Sequence, residues 1–340
     1  MKKMRAGILS VLAGGVLLSS VSFYVSAADV SSVSTRDIVK KTVFDGNIHN
    51  NTLAISPDEK MAVVARSGRH EVIVYDLDSG KVRDVLTGYI TPRNIVFSPD
   101  GKTFFVSDSS LGLVIRVDAT TLKTVTQYAT GPGSFGTELN QDGSTLYINN
   151  QASNTVVSVD TETGVANAVI TGFSQPRQAV RLSPDGKTLF VTNFIGDKIT
   201  LVDTASNQIK DEITGFHKIR AISVTTDGKK LFAANSGTNT IAVVDIAERK
   251  ITTTIPVGQQ PYGSALSPDG KVIYSGNLAD NSVSVIDTAT LKVVATIKGF
   301  NQPRQAIVFT RDNRYAYVLN EDLSLSKVER NSQKIVSTIK

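Results

Sequence analysis

Apolar residues along this chain come in short bursts separated by polar turns, and the bursts recur with one period. The stretch 177–214 shows the unit. Residues 178–182 predict a first strand, and Pro184-Asp185-Gly186 turns the chain. Residues 188–192, rich in apolar and β-branched side chains, predict a second strand. A loop at 194–197 leads to a third strand at 198–202. After a turn at 203–207, residues 208–213 predict a fourth, more polar strand. No segment of the repeat carries apolar residues at helical spacing.

The period is read from two acidic ladders. Asp58, Asp100, Asp142, Asp185, Asp227, Asp269 and Asp312 are spaced 42, 42, 43, 42, 42 and 43 residues apart. Asp76, Asp118, Asp160, Asp203, Asp245, Asp287 and Glu329 run in step with them. The first ladder sits in Ser-Pro-Asp-Gly-Lys at 98–102, 183–187 and 267–271, with degenerate copies between. Proline presets φ at the first central turn position and glycine supplies positive φ. Four strands in roughly 40–45 residues is the period of a propeller blade. The sequence therefore predicts an all-β fold, a seven-bladed β-propeller of four-stranded antiparallel blades, over residues 38–340. Two segments compete for the outer edge of the last blade, 38–44 and 334–339, and that blade is expected to hold both.

The second strands end in Leu189-Phe190-Val191-Thr192-Asn193, Leu146-Tyr147-Ile148-Asn149-Asn150 and Tyr317-Val318-Leu319-Asn320. Third strands read like Ser282-Val283-Ser284-Val285-Ile286-Asp287-Thr288. These segments resemble the YVTN-repeat family of β-propellers, which includes exported bacterial and archaeal surface-layer proteins. The resemblance implies the fold and an exported protein. It implies little about function, because propellers host many activities. The chain has no tryptophan, unlike WD40 propellers.

The N-terminus reads as an address. Lys2, Lys3 and Arg5 precede an uncharged apolar run at 6–23, and Val25-Ser26-Ala27 follows. Residues 1–27 are therefore expected to be a cleaved signal peptide, and 28–37 a linker. Cleavage changes the charge picture. The chain carries 36 basic and 31 acidic residues, net +5, and three of the basic ones lie before residue 27, so the mature chain is 33 − 31 = +2. Bulk charge then gives no case for nucleic acid. With no cysteine, a disulfide framework and lipid attachment at cysteine are excluded. A periplasmic or secreted monomer follows, with no stable membrane insertion after cleavage.

Recurrence inside the chain separates scaffold from site. Both acidic ladders, and the asparagines Asn150, Asn193, Asn235, Asn277 and Asn320, occupy repeated positions. They are read as turn chemistry bonding the local backbone. Departures from the repeat are more informative. Blade 1 has Arg66 and blade 2 Asp108 at the asparagine position; Glu138 and Arg181 face one another from equivalent places in blades 3 and 4. The latter two are expected to form an interior ion pair.

The loops entering the first strands put Arg93, Arg177, Arg220 and Arg304 at one place in blades 2, 4, 5 and 7. The other blades have Asn51, Phe135 and Tyr262 there, and Arg66 and Arg69 lie on loops of the same face. Guanidinium groups ringing a channel mouth suit carboxylate or phosphate. Phe135 and Tyr262 would stack on a planar group. The competing reading is that each arginine holds a neighbouring blade.

The expected function is a non-enzymatic binding scaffold for an anionic ligand or polyanion, or for an envelope protein, with no cofactor. One alternative is a lactonase- or lyase-like propeller enzyme with a divalent metal, drawing on Glu138 and Asp108. A further alternative is single-stranded nucleic-acid binding through arginine and aromatic residues. His49, His70 and His217 share one face but make a poor metal constellation. No Gly-x-Ser-x-Gly elbow or phosphate-cradling loop is present.

Overall fold

The computed structural model of the protein describes residues 48–340. The expected signal peptide, linker and strand at 38–44 lie outside the described residues. Twenty-eight strands, β1 to β28, form seven sheets, each of four consecutive antiparallel strands. This is a seven-bladed β-propeller. Among the described residues no helix is long and apolar enough to cross a membrane.

Blade 4 shows how the pattern becomes a sheet. It comprises β13 (Pro176–Leu182), β14 (Thr188–Asn193), β15 (Lys198–Asp203) and β16 (Gln208–Ile213). The second strand is buried along almost its whole length, because both faces of the sheet pack on neighbouring blades. The fourth strand is half exposed, which is why its sequence is polar. Every blade contact is a hydrophobic cluster shared by two adjacent blades. The last joins Tyr317, Leu319 and Leu325 of blade 7 to Leu53, Val64 and Tyr75 of blade 1. Apolar packing thus closes the ring, assisted by Tyr75 Oη donating to Leu323 O at 3.0 Å. The outer edge of the last blade is β28 (Lys334–Ile339).

The acidic ladders are turn chemistry. Asp58, Asp100, Asp185 and Asp269 accept the hydroxyl of a serine two residues before them at 2.6 Å and the amide two residues after. These donors hold the first-ladder carboxyls below the usual range. At Asp269 burial pushes the carboxyl up, yet Ser267, Arg330 and the Lys271 amide outweigh it and hold it at about 2. In the second ladder Asp118, Asp160 and Asp287 are lowered by the following threonine's amide and hydroxyl. A depressed carboxyl stabilises the fold above its unfolded pKa, near 3.9, and that stability is lost as pH falls through the folded pKa. Thermal melts are therefore expected to be flat down to pH about 4 and to fall steeply from there towards about 2. Melts that do not change across that window would contradict the ladders' role.

Candidate ligand-binding mouth

The first strands line a central channel with a cavity of about 800 Å³. On one face the loops entering these strands are sharply bent. Gln175, Lys218, Gln260 and Gln302 hold positive φ of 53°, 52°, 52° and 48° although none is glycine. Such backbone costs of order 1 kcal/mol or more and persists only where neighbours fix it. Here the preceding blade does so. Asn154, Asn239 and Asn281 accept the amides of Gln175, Gln260 and Gln302 at 2.7–2.9 Å, and Asp197 accepts that of Ile219 at 3.1 Å.

Asparagines ending the second strands act on the same loops, about twenty residues away in sequence, as well as bonding locally. Asn193, Asn235 and Asn320 accept the amides of Ser174, His217 and Asn301. Asp108 takes this place in blade 2, accepting the amides of Ile90 and Thr91 at 2.7 and 3.0 Å and those of Ser110 and Leu111 at 3.1 Å. Asp108 is fully buried with both oxygens taken by amides, whereas Glu138 lines the channel cavity, which Asp108 does not reach.

Each arginine of the mouth meets the residue that follows the second strand of its own blade. Arg93 Nε donates to Ser109 Oγ at 2.8 Å and Arg220 Nε to Ser236 Oγ at 3.2 Å. Arg304 Nε lies 3.5 Å from Glu321 Oε2, and Arg177 stacks on Phe194 with its guanidinium carbon 3.4 Å from the ring centroid. Aromatic rings then fill the gaps between blades. Arg220 lies 5.2 Å from the centroid of Phe194 and 4.8 Å from that of Tyr262, and Arg304 lies 5.2 Å from Tyr262. The result is an alternating arc, Arg177–Phe194–Arg220–Tyr262–Arg304, across blades 4 to 7. Glu321 continues it to blade 1, where Arg66 Nη2 is 2.5 Å away. Along this run four guanidinium groups face one carboxylate.

Arg93 is different. It is fully buried, donates through Nη1 to Ile48 O at 2.7 Å and Asn50 Oδ1 at 2.9 Å, and stacks 4.6 Å from the Phe135 centroid. Phe135 is buried as well. These two stand inside the wall of the mouth, whereas Arg177, Arg220 and Tyr262 are partly exposed. Arg69 pairs with Glu71 at 3.2 Å on the exposed outer surface.

Two side chains inside the channel escaped the sequence reading. Gln178 and Gln305 are the extra residues of blades 4 and 7, the two blades reached by a 43-residue step. In blade 4 the strand register shifts between Pro176 and Val180 to accommodate it. Gln305 Nε2 donates to Gln178 Oε1 at 2.7 Å, and both amides also reach Asn51 O, at 2.8 and 3.3 Å. Asn50 Nδ2 donates to Gln178 Oε1 at 3.2 Å. A polar bridge thus crosses the channel just beneath the arginines. Phe194 was missed too, although it is the one aromatic residue after a second-strand asparagine.

Deeper in the channel Arg181 Nη1 lies 3.2 Å from Glu138 Oε2, with 46% and 22% of their side chains exposed. The expected pair forms, on the channel wall. Burial pushes the Glu138 carboxyl up despite the adjacent guanidinium. Among the described residues no three His, Cys, Asp or Glu side chains gather closely enough to hold a metal ion.

The family model of the Cytochrome D1 heme domain matches residues 184–307. That is less than half of the chain. Among solved structures, hydrazine synthase from Kuenenia stuttgartiensis is similar with a TM-score of 0.75 and 20% identity, covering 82% of this chain and 94% of that one. This likeness shows the fold. No curated protein matches the chain.

The heme match can be tested on the residues present. Arg220, Tyr262 and Arg304 of the matched segment would suit the carboxylates and flat face of such a group. An axial ligand is another matter. The segment has no cysteine or methionine, and its one histidine, His217, borders a separate hollow of about 500 Å³. His49 lines the channel but lies outside the match, and His70 Nδ1 is 2.7 Å from Ile90 O. Of the usual axial ligands, the matched residues place at the mouth only the phenol of Tyr262, so they fit the periphery of a heme site better than its centre.

Proposed function

We propose that this protein is an exported, non-enzymatic binding propeller whose arginine–aromatic mouth takes a planar ligand bearing two or more carboxylates. The observation that carries this reading is the alternating arc of Arg177, Phe194, Arg220, Tyr262 and Arg304. Flat rings and planar guanidinium groups alternate at the mouth, so a ligand meets stacking surfaces and paired donors together. The terminal nitrogens of Arg220 make no hydrogen bond among the described residues, and that guanidinium is half-buried, where charge-assisted bonds are strongest. Phosphate or nucleic acid would use the same charges, but the short arc and its rings favour a compact planar anion. The match to a heme domain over residues 184–307 agrees with that shape and charge. Membership of the YVTN-repeat family, export through the segment 1–27, and a monomeric state in the periplasm or outside the cell belong to the same proposal.

The test is calorimetry with benzene-1,3,5-tricarboxylate and with metal-free protoporphyrin IX. Each charged hydrogen bond contributes roughly 1.5–3 kcal/mol, and about 1.4 kcal/mol is a factor of ten. Arg177→Ala and Arg220→Ala are each expected to weaken binding about tenfold, and the double variant about a hundredfold. Thermal stability should change little. Unchanged affinity in a folded double variant would overturn the reading.

A further inference from the structure

Beneath the glutamine bridge the channel changes character. Arg181 follows Arg177 by four residues on β13, on the far side of the register shift between Pro176 and Val180. At the same level of the repeat the cavity is lined by Val96, Leu182, Val224, Leu266, Val308 and Phe309, with the smaller Ser223 and Ala265 between them. Each of the six larger residues packs one side against an apolar cluster between blades and leaves the other partly exposed to the channel. Among them stand one guanidinium and one carboxylate, Arg181 and Glu138. Arg181 spends Nη1 on Glu138 and on Val180 O at 2.7 Å; its other nitrogens have no hydrogen-bond partner among the described residues. This end opens between the Ser-Pro-Asp-Gly turns, with Pro268 at its lip.

We infer that the channel is two back-to-back cups, and that the lower one binds a small organic monoanion with an apolar body. The apolar walls take the body and the open side of the Arg181 fork takes the charged head. Charge decides the class. An apolar neutral molecule would leave the remaining nitrogens of the fork without an acceptor. An organic cation would meet Arg181, and a dianion would set its second charge against Glu138. The upper mouth differs in each respect, with several guanidinium groups, aromatic faces and no aliphatic wall of this kind. The Gln178–Gln305 bridge stands between the two.

The experiment uses 8-anilinonaphthalene-1-sulfonate, followed by fluorescence and calorimetry on the folded chain, with octanoate as a competitor. Wild type is expected to bind it with enhanced fluorescence, reversed by octanoate. Arg181→Gln should weaken binding at least tenfold. Glu138→Gln should tighten it several-fold, because the fork is released to the ligand. Leu266→Trp, which fills the cup without touching a charge, should abolish it. Arg177→Ala and Arg220→Ala should leave it unchanged, so this site and the upper mouth fail separately. Equal binding by Arg181→Gln and wild type would overturn the inference. So would a loss on Arg177→Ala, Arg220→Ala matching that on Arg181→Gln. Thermal melts of each variant exclude dye binding by unfolded chain.

Discussion

Gly136→Ala is expected to be among the most damaging single substitutions in this protein, costing about 3 kcal/mol. A Cβ on Gly136 would lie 2.3 Å from Gln178 O and 2.6 Å from Arg177 O. Both are backbone atoms of the neighbouring blade, so no side chain can swing aside. The reason for the close approach is the extra residue of blade 4. Its bulge crowds the neighbouring first strand, and blade 3 makes room by having no side chain there. Blade 6 repeats the device before blade 7: a Cβ on Gly263 would lie 2.9 Å from Arg304 O. Overpacking should displace Arg177 and Gln178 as well, so affinity at the upper mouth falls along with stability. Gly68→Ala is the control. Nothing lies within 4 Å of its Cβ position, and a change within about 0.5 kcal/mol is expected. Equal melting temperatures for Gly136→Ala and wild type would show that the two blades do not approach so closely.

Arg93→Ala is expected to cost about 3–5 kcal/mol, whereas Arg220→Ala costs little. Both are arginines at one position of the repeat, yet Arg93 is fully buried and Arg220 is not. Truncating Arg93 leaves Ile48 O, Asn50 Oδ1 and Ser109 Oγ without that donor in a closed site, each costing roughly 1–3 kcal/mol. It also opens a cavity against Phe135. Denaturant melts of the two variants, run beside ligand titrations, separate a supporting arginine from a contacting one. Arg93→Ala should lose stability first and affinity only as a consequence. If both melt alike, burial does not distinguish them.

The architecture was legible because it is written seven times. Strand positions, turn residues and both ladders recur at one period, and no single degenerate copy could obscure them. The arginine position was legible for the same reason. Their individual environments were not, because these depend on partners far apart in sequence. Arg93 is buried by residues 48–50, which approach from the start of the ring. Arg304 is restrained by Glu321, and Arg177 by Phe194, each the residue after its blade's repeated asparagine, Asn320 or Asn193. The strand-ending asparagines were read as local turn formers. Asn193, Asn277 and Asn320 do bond locally through Nδ2, but Asn150, Asn193, Asn235 and Asn320 also fasten the loop that enters the same blade, a role visible only once strands one and two lie side by side. The glutamine bridge did leave a trace, in the two 43-residue steps of the first ladder. An irregular step says where a residue has been added, but only the closed ring shows that the two additions meet.

The meeting of Gln178 and Gln305 sets a fixed chord across a flexible circle. Blades 5 and 6 lie on one side of it and blades 1, 2 and 3 on the other. The stacked rings and exposed guanidinium groups lie on the shorter side, between the two anchoring blades. An oval distortion of the ring would alter the distance from Arg177 to Arg304, the two ends of the arc. Each of these arginines is bonded in sequence to one end of the chord, so that distance is held whether or not a ligand is present. On the proposed reading, the mouth would act as a calliper set to one width, selecting ligands by span before any side chain closes on them.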